Sequence, residues 1–215
     1  MSSNELDTTR LRIIDAAGEI FAARGFNGTT VREICQRAGA NVAAVNYYFG
    51  DKQRLYIETV LQAHRWRMER ASLPEWTAGT LPKEKLADFI RTFIRRVRSG
   101  PGETWHTPLL MREMMLGEAA CVEVVRESIR PQYEILVNIL RELSPEDISL
   151  EQLHLTSFSI VGQCLFYHFA DPVVRNLVAD SEYAAYDVEK LANHIIAFSL
   201  AAIERFHPSR VRAAK

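Results

Sequence analysis

The stretch from Arg10 to Tyr56 is punctuated so densely that its backbone has few paths open to it. Leu11, Ile14, Ala17, Ile20 and Phe21 recur at helical spacing, the apolar stripe of an amphipathic helix, and Gly25 closes it. Thr30 and Glu33 stand in the spacing of a capping box, where hydroxyl and carboxylate each satisfy an amide N–H orphaned at a helix start. They open a second helix with the stripe Val31, Ile34, Cys35 and Ala38, and Gly39 ends it. Asn41 suits the N-cap of a third, very short helix running to about Tyr47. Asp51 then caps a long helix that reaches about Ser72.

Helical signals continue to the end of the chain. Beyond the break "LPEWTAGTLP", segments at about 83–99, 104–117, 119–142, 150–170 and 187–206 are separated by SGPGE, Gly117, SPED and ADP. No run of residues alternates with the β-branched enrichment of a strand. The fold class expected is all-α, with about nine helices in total. A three-helix N-terminal helix-turn-helix domain, residues 1–52, precedes a C-terminal helical bundle, residues 53–215.

Composition sets the outer limits. The chain has 215 residues, 47% of them hydrophobic and 25% charged, the proportions of a globular protein with a sizeable core. No apolar run approaches the roughly 20 residues of a membrane span. The polar N-terminus does not read as a signal or transit peptide, and a cytoplasmic location is expected with no membrane partner. Cys35, Cys121 and Cys164 show no metal-ligand spacing and read as core filler. Net charge is −1, but residues 1–70 hold ten Lys/Arg against eight Asp/Glu, a balance of +2, and the remainder sixteen against nineteen, a balance of −3. The excess is mild and lies on the side that a polyanion partner would meet.

Two helices joined by a tight glycine turn, the second of them short, make a helix-turn-helix pattern, in which the second helix enters the major groove of DNA. The outer face of the short helix would present Asn41, Val42, Ala43, Asn46 and Tyr47, while Val45 and Phe49 seat it against Ile34 and Phe21. Small side chains allow close approach to the bases: Val42 or Ala43 suits a thymine methyl, and Asn46 an adenine edge. Tyr48 and Tyr47 offer hydroxyls to phosphate, and Lys52 adds a charge at the N-terminus of the next helix, itself a favourable place for an anion. Thr30 and Arg32, opening the second helix, complete the DNA-facing set.

The run "RLRIIDAAGEIFAARGFNGTTVREICQRAGANVAAVNYYFGDKQRLY" resembles the N-terminal domain of TetR-type transcriptional regulators. The likeness rests on Arg10, Ile14, Ala16-Ala17, Phe21, Gly25, Thr30-Val31, Ile34, Ala38-Gly39, Tyr48-Phe49, Lys52 and Leu55. It implies a homodimer, a three-helix DNA-binding domain and a C-terminal domain for ligand binding and dimerisation. Asn46 departs from the family, since many members carry at its position a tyrosine that touches phosphate. "LLMREMMLGEAACVEVVRESIRPQYEILVNILREL", with Arg112-Glu113 and Pro131, is similar to the CecR-like branch.

Further along, Trp105, Met111, Met115, Phe158 and Phe166 are candidates to line an adaptable apolar pocket, with core packing as the competing reading. Arg112 and Glu113 stand among them, and if buried each needs a partner or a ligand charge. The segments "LHLTSFSIVGQCLFYHF" and "LANHIIAFSLAAIERF" are too apolar to face water on more than one side and suit dimer contacts within residues 150–206, with burial inside the monomer as the competing reading. No catalytic constellation, metal site or cofactor motif is present: the six histidines show no H-E-x-x-H spacing, and the glycines form no phosphate loop. The function expected is a ligand-responsive repressor that binds a palindromic operator in double-stranded DNA as a homodimer and is released by a small-molecule effector. The competing reading is a helical ligand carrier or enzyme whose N-terminal helices only pack.

Overall fold

Thr30 takes an extended backbone (φ −113°, ψ 150°), and its hydroxyl accepts from the Glu33 amide at 3.3 Å. The Glu33 carboxylate accepts in return from the Thr30 amide at 2.9 Å, which closes the capping box. The Thr30 hydroxyl, which also donates to this carboxylate, and the Thr30 amide, with Arg24 nearby, hold the Glu33 carboxyl below its ordinary value. The helix start therefore draws full support from Glu33 above the usual carboxylate pKa and loses it as pH falls through the lowered one.

The computed structural model describes residues 3–98, 104–117 and 119–206. Its helices are α1 (Ser3–Arg24), α2 (Val31–Ala38), α3 (Val42–Phe49), α4 (Lys52–Glu69), α5 (Pro82–Val97), α6 (His106–Leu116), α7 (Cys121–Val124), α8 (Arg130–Leu143), α9 (Leu150–Phe169), α10 (Asp171–Leu177), α11 (Asp180–Ala184) and α12 (Val188–Glu204). No strand occurs among the described residues, as the all-α reading requires. Short α7, α10 and α11 lift the count above nine. The turn between α2 and α3 needs Gly39, whose φ of 60° lies in the left-handed region that side chains avoid.

One expected helix, 119–142, is interrupted. Residues Val125–Ile129 form a π turn between α7 and α8, and the Arg130 N–H donates to the Val125 carbonyl five residues back. Pro131 is the cause. It has no N–H for the Glu127 carbonyl, and its ring collides with that carbonyl in a regular helix, so the preceding turn widens.

Packing divides the chain into two compact units, Met1–Glu69 with Gly100–Pro131, and Arg70–Ser99 with Gln132–Lys215. These units follow packing, and their limits differ from the expected functional division at residue 52. In the first, α1 to α4 close around Phe21, Ile34, Val45, Phe49, Leu55 and Val60, and Trp105, Leu109 and Leu110 of the α6 region join the same core. Gly18 on α1 makes room for the Trp105 indole, and an alanine there would drive its Cβ into the ring. The second unit centres on Leu86, Phe89 and Ile90 of α5, Leu136 and Leu140 of α8, Ile160 of α9, and Leu191 and Ile195 of α12. Cys35 and Cys164 lie in the two cores and Cys121 is half-buried; all three are free thiols, and burial pushes the Cys164 thiol up to about 12.

Candidate nucleic-acid interface

The short helix α3 is anchored on one side and open on the other. Val45 and Phe49 are buried in the first unit's core. Asn41, Val42, Ala43, Asn46 and Tyr47 are all exposed, Tyr47 at 74%. The Asn41 side-chain oxygen accepts from the Ala44 amide at 2.8 Å, so capping uses its acceptor and leaves its NH2 group outward. Asn46 has no side-chain hydrogen bond among the described residues, and its amide is free to pair.

Around this face the candidate phosphate contacts differ in availability. Tyr48 is half-buried, edge-on to Tyr47 with ring centres 5.0 Å apart. Asp51 caps α4 by accepting from the Arg54 amide at 2.7 Å. Lys52 follows at the first position of α4, with Nζ 4.3 Å from the centre of the Phe26 ring, a cation–π contact that parks the ammonium beside the helix start. Arg32 is exposed and has no ion pair among the described residues. Thr30 is less available, because its hydroxyl also donates to Glu33 at 2.8 Å. Arg24 pairs with Glu33 at 2.7 Å and Arg37 with Glu19, bridging α1 to α2 across an open groove of about 510 Å³.

Behind the face, α4 is tied to α6. The buried Tyr56 hydroxyl donates to the Glu113 carboxylate at 2.6 Å, and the Ala120 amide donates to its other oxygen at 3.1 Å. Glu113 is only 2% exposed, and these donors supply the partners that its burial requires. Its neighbour Arg112 lies against Gly25 at the end of α1. Arg10 of α1 and Arg54 of α4 share Glu58, at 3.1 and 2.7 Å. The tyrosine partner of Glu113 is invisible to periodicity, which marks Tyr56 only as one more apolar position.

The expected pocket residues are spread over both units. Trp105 is buried and stacks on His106, whose ring also stacks on Trp66, with ring centres 3.9 and 4.4 Å apart. Met111 and Arg112 are half-buried, whereas Met115 is 75% exposed. These four belong to the first unit. Phe158 and Phe166 belong to the second, and both stand more than half exposed on α9. With Leu155, Ser159 and Gly162 they form an outward stripe on α9, and His194, Ala197, Phe198 and Ala201 form another on α12.

A half-buried short helix with an open small-residue face, set on two capped helices, defines a helix-turn-helix DNA-binding protein. Residues 13–59 match the family model described as bacterial regulatory proteins, tetR family. Residues 82–203 match the model of the HTH-type transcriptional dual regulator CecR, C-terminal domain. The chain belongs to the TetR-type transcriptional regulators with a CecR-type C-terminal domain, and it is a DNA-binding regulator rather than an enzyme. It is 23% identical over 195 residues to the HTH-type transcriptional dual regulator CecR of Shigella flexneri, covering 86% of this chain and 85% of that one. Among solved structures, a TetR-like transcriptional regulator from Rhodococcus sp. RHA1 shares the fold with a TM-score of 0.58 at 19% identity, over 91% of this chain and 96% of the other. HlyIIR, a hemolysin II transcriptional regulator, does so with a TM-score of 0.56 at 23% identity, over 88% and 97%. Among the described residues no helix is long and apolar enough to cross a membrane.

Proposed function

We propose that the chain is a ligand-responsive repressor that binds a palindromic operator as a homodimer in the cytoplasm and is released by a small apolar or amphipathic effector. Residues 1–52 read DNA, and residues 53–215 bind the effector and dimerise. The observation that carries the reading is the α3 face: Val42 and Ala43 are small and exposed, Asn46 has an uncommitted amide, and the helix behind them is locked in the core. Val42, Ala43 and Asn46 meet base edges; Asn41 contributes its NH2 group. Tyr47, Tyr48, Lys52, Arg32 and Thr30 hold phosphates, Thr30 through a hydroxyl that must first leave Glu33.

The outward stripes on α9 and α12 support dimerisation through residues 150–206, since apolar side chains such as Leu155 and Phe198 gain from being covered. In a two-fold dimer the two α3 helices must stand about 34–36 Å apart to enter successive major grooves. An effector touching Trp105, Met111, Arg112 or Met115 acts on α6, which the Glu113–Tyr56 bond joins to α4 one turn after Lys52. Within the second unit, Phe158 and Phe166 of α9 are the candidate effector contacts. By linkage, effector and operator weaken each other by the same factor, typically 5–150-fold.

The test is a gel shift with the DNA flanking the protein's own gene, followed by variants. Lys52→Ala should weaken binding to all duplexes about equally and reduce the salt slope by roughly one unit. Asn46→Ala should cost about 1–3 kcal/mol on the cognate site and relax one base position. Failure to select any specific duplex from random DNA would end the repressor reading. A uniform loss for Asn46→Ala across all sequences would make that residue a backbone contact.

A further inference from the structure

Arg96, in the last turn of α5, is 8% exposed, yet it faces no carboxylate among the described residues. Its Nε–H donates to the Ala71 carbonyl at 2.7 Å and its Nη1 to the Gln132 side-chain oxygen at 3.0 Å, both neutral acceptors. Burial lowers the guanidinium's pKa from its ordinary value with no opposing charge to restore it. Nearby Arg91 and Arg95 behave differently, both pairing with Glu189 at the surface. A guanidinium keeps its charge in a protein, so Arg96 is a largely buried cation held by neutral acceptors alone.

The surroundings are rich in donors. Nη2 of Arg96 has no acceptor among the described residues, and neither has the amide nitrogen of Gln132, one carbon away from the oxygen that Arg96 already holds. Tyr133, the next residue of α8, has its hydroxyl buried without a hydrogen bond. Ser157 stands beside it, its own hydroxyl donating to the Leu153 carbonyl at 2.8 Å; burial pushes the Tyr133 phenol up, and the nearby Ser157 hydroxyl offsets this only in part. The Tyr133 ring stacks on Phe158, with centres 5.7 Å apart and planes 18° from parallel, and His154 lies 5.8 Å away. The uncommitted Gln132 amide and the Tyr133 hydroxyl thus stand at consecutive positions of one helix, next to an aromatic platform.

We propose that Arg96, with Gln132 and Tyr133, recognises the carboxylate of a small organic acid whose apolar body lies against the Tyr133–Phe158 ring pair. One guanidinium balances one negative charge, which suits a carboxylate better than a phosphate dianion, and charge-assisted bonds from guanidinium to carboxylate are among the strongest available. The proposal rests on the reading of the chain as ligand-responsive and gives the chemistry of its effector. Binding is measured without DNA, so that a protein with no operator but with an Arg96-dependent acid site would defeat only the earlier reading.

The experiment is calorimetric titration of the full chain at neutral pH with butanoate, hexanoate, octanoate, decanoate and phenylpropanoate, each against the alcohol of the same skeleton. At least one acid should bind about tenfold or more tightly than its alcohol. Arg96→Met should bring that pair to within about twofold, and Arg96→Gln, which keeps a donor for the Ala71 carbonyl, serves should the methionine variant fail to fold. Absence of binding by every acid, equal binding of acids and alcohols, or an advantage that survives the loss of Arg96 would each overturn the proposal and leave Arg96 a strap between Ala71 and Gln132.

Discussion

Replacing Glu113 by alanine should destabilise the protein by about 3–5 kcal/mol and lower its melting temperature by roughly 10–15 °C. Two donors end on this carboxylate, the Tyr56 hydroxyl at 2.6 Å and the Ala120 amide at 3.1 Å, and both Tyr56 and Ala120 are fully buried. Truncation strands both in a dry interior, at about 1–3 kcal/mol each, and leaves a cavity besides. Tyr56→Phe removes only one donor and should cost less, about 1.5–3 kcal/mol, the range of a hydrogen bond to a charged group. The two changes meet at one contact, so the double variant should lose clearly less than the two single losses together. Urea unfolding of the four proteins measures the cycle. Strict additivity, or a Glu113→Ala loss below about 1 kcal/mol, would mean that water reaches the carboxylate and that the tie between α4 and α6 is loose. Operator affinity should fall with it, because Tyr56 lies one turn after Lys52.

The parts of this molecule that were legible in its sequence are those governed by neighbours along the chain. The capping box at Thr30 and Glu33, the Asn41 and Asp51 caps and the Gly39 turn each act over three or four residues, and each forms as the spacing requires. Burial of Val45 and Phe49 follows from helical periodicity once α3 is placed. The π turn had a visible cause in Pro131, yet apolar spacing alone runs straight through it and reads one helix from 119 to 142. Contacts across the fold left no such trace. The room that Gly18 makes for Trp105, and the Tyr56 partner of Glu113, depend on how α6 is laid against α1 and α4. A methionine stripe does not say which of its members turns outward, and Met115 is one that does. Arg96 reads as an ordinary charge on an amphipathic helix, whereas its long side chain carries the guanidinium inward to Ala71 and Gln132.

Ala43→Glu should abolish most operator binding, by roughly a hundredfold to a thousandfold, in a protein as stable as the parent or slightly more so. Ala43 is the second residue of α3 and is exposed. A carboxylate in the first turn of a helix meets the positive end of the dipole and free backbone N–H groups, worth about 0.3–1 kcal/mol. In the major groove the same carboxylate would face the acceptors of base edges and the flanking phosphates, a like-charge contact that costs several kcal/mol. Stability and affinity thus move in opposite directions, which no general loosening of the fold imitates. Ala78→Glu, an equal change of charge on the exposed stretch before α5 and outside the proposed DNA-reading residues, is the control and should leave affinity within about twofold. Gel shift at fixed salt and thermal unfolding on both variants decide the matter. Equal weakening by both would reduce the effect to net charge, and full affinity in a folded Ala43→Glu protein would remove α3 from the groove.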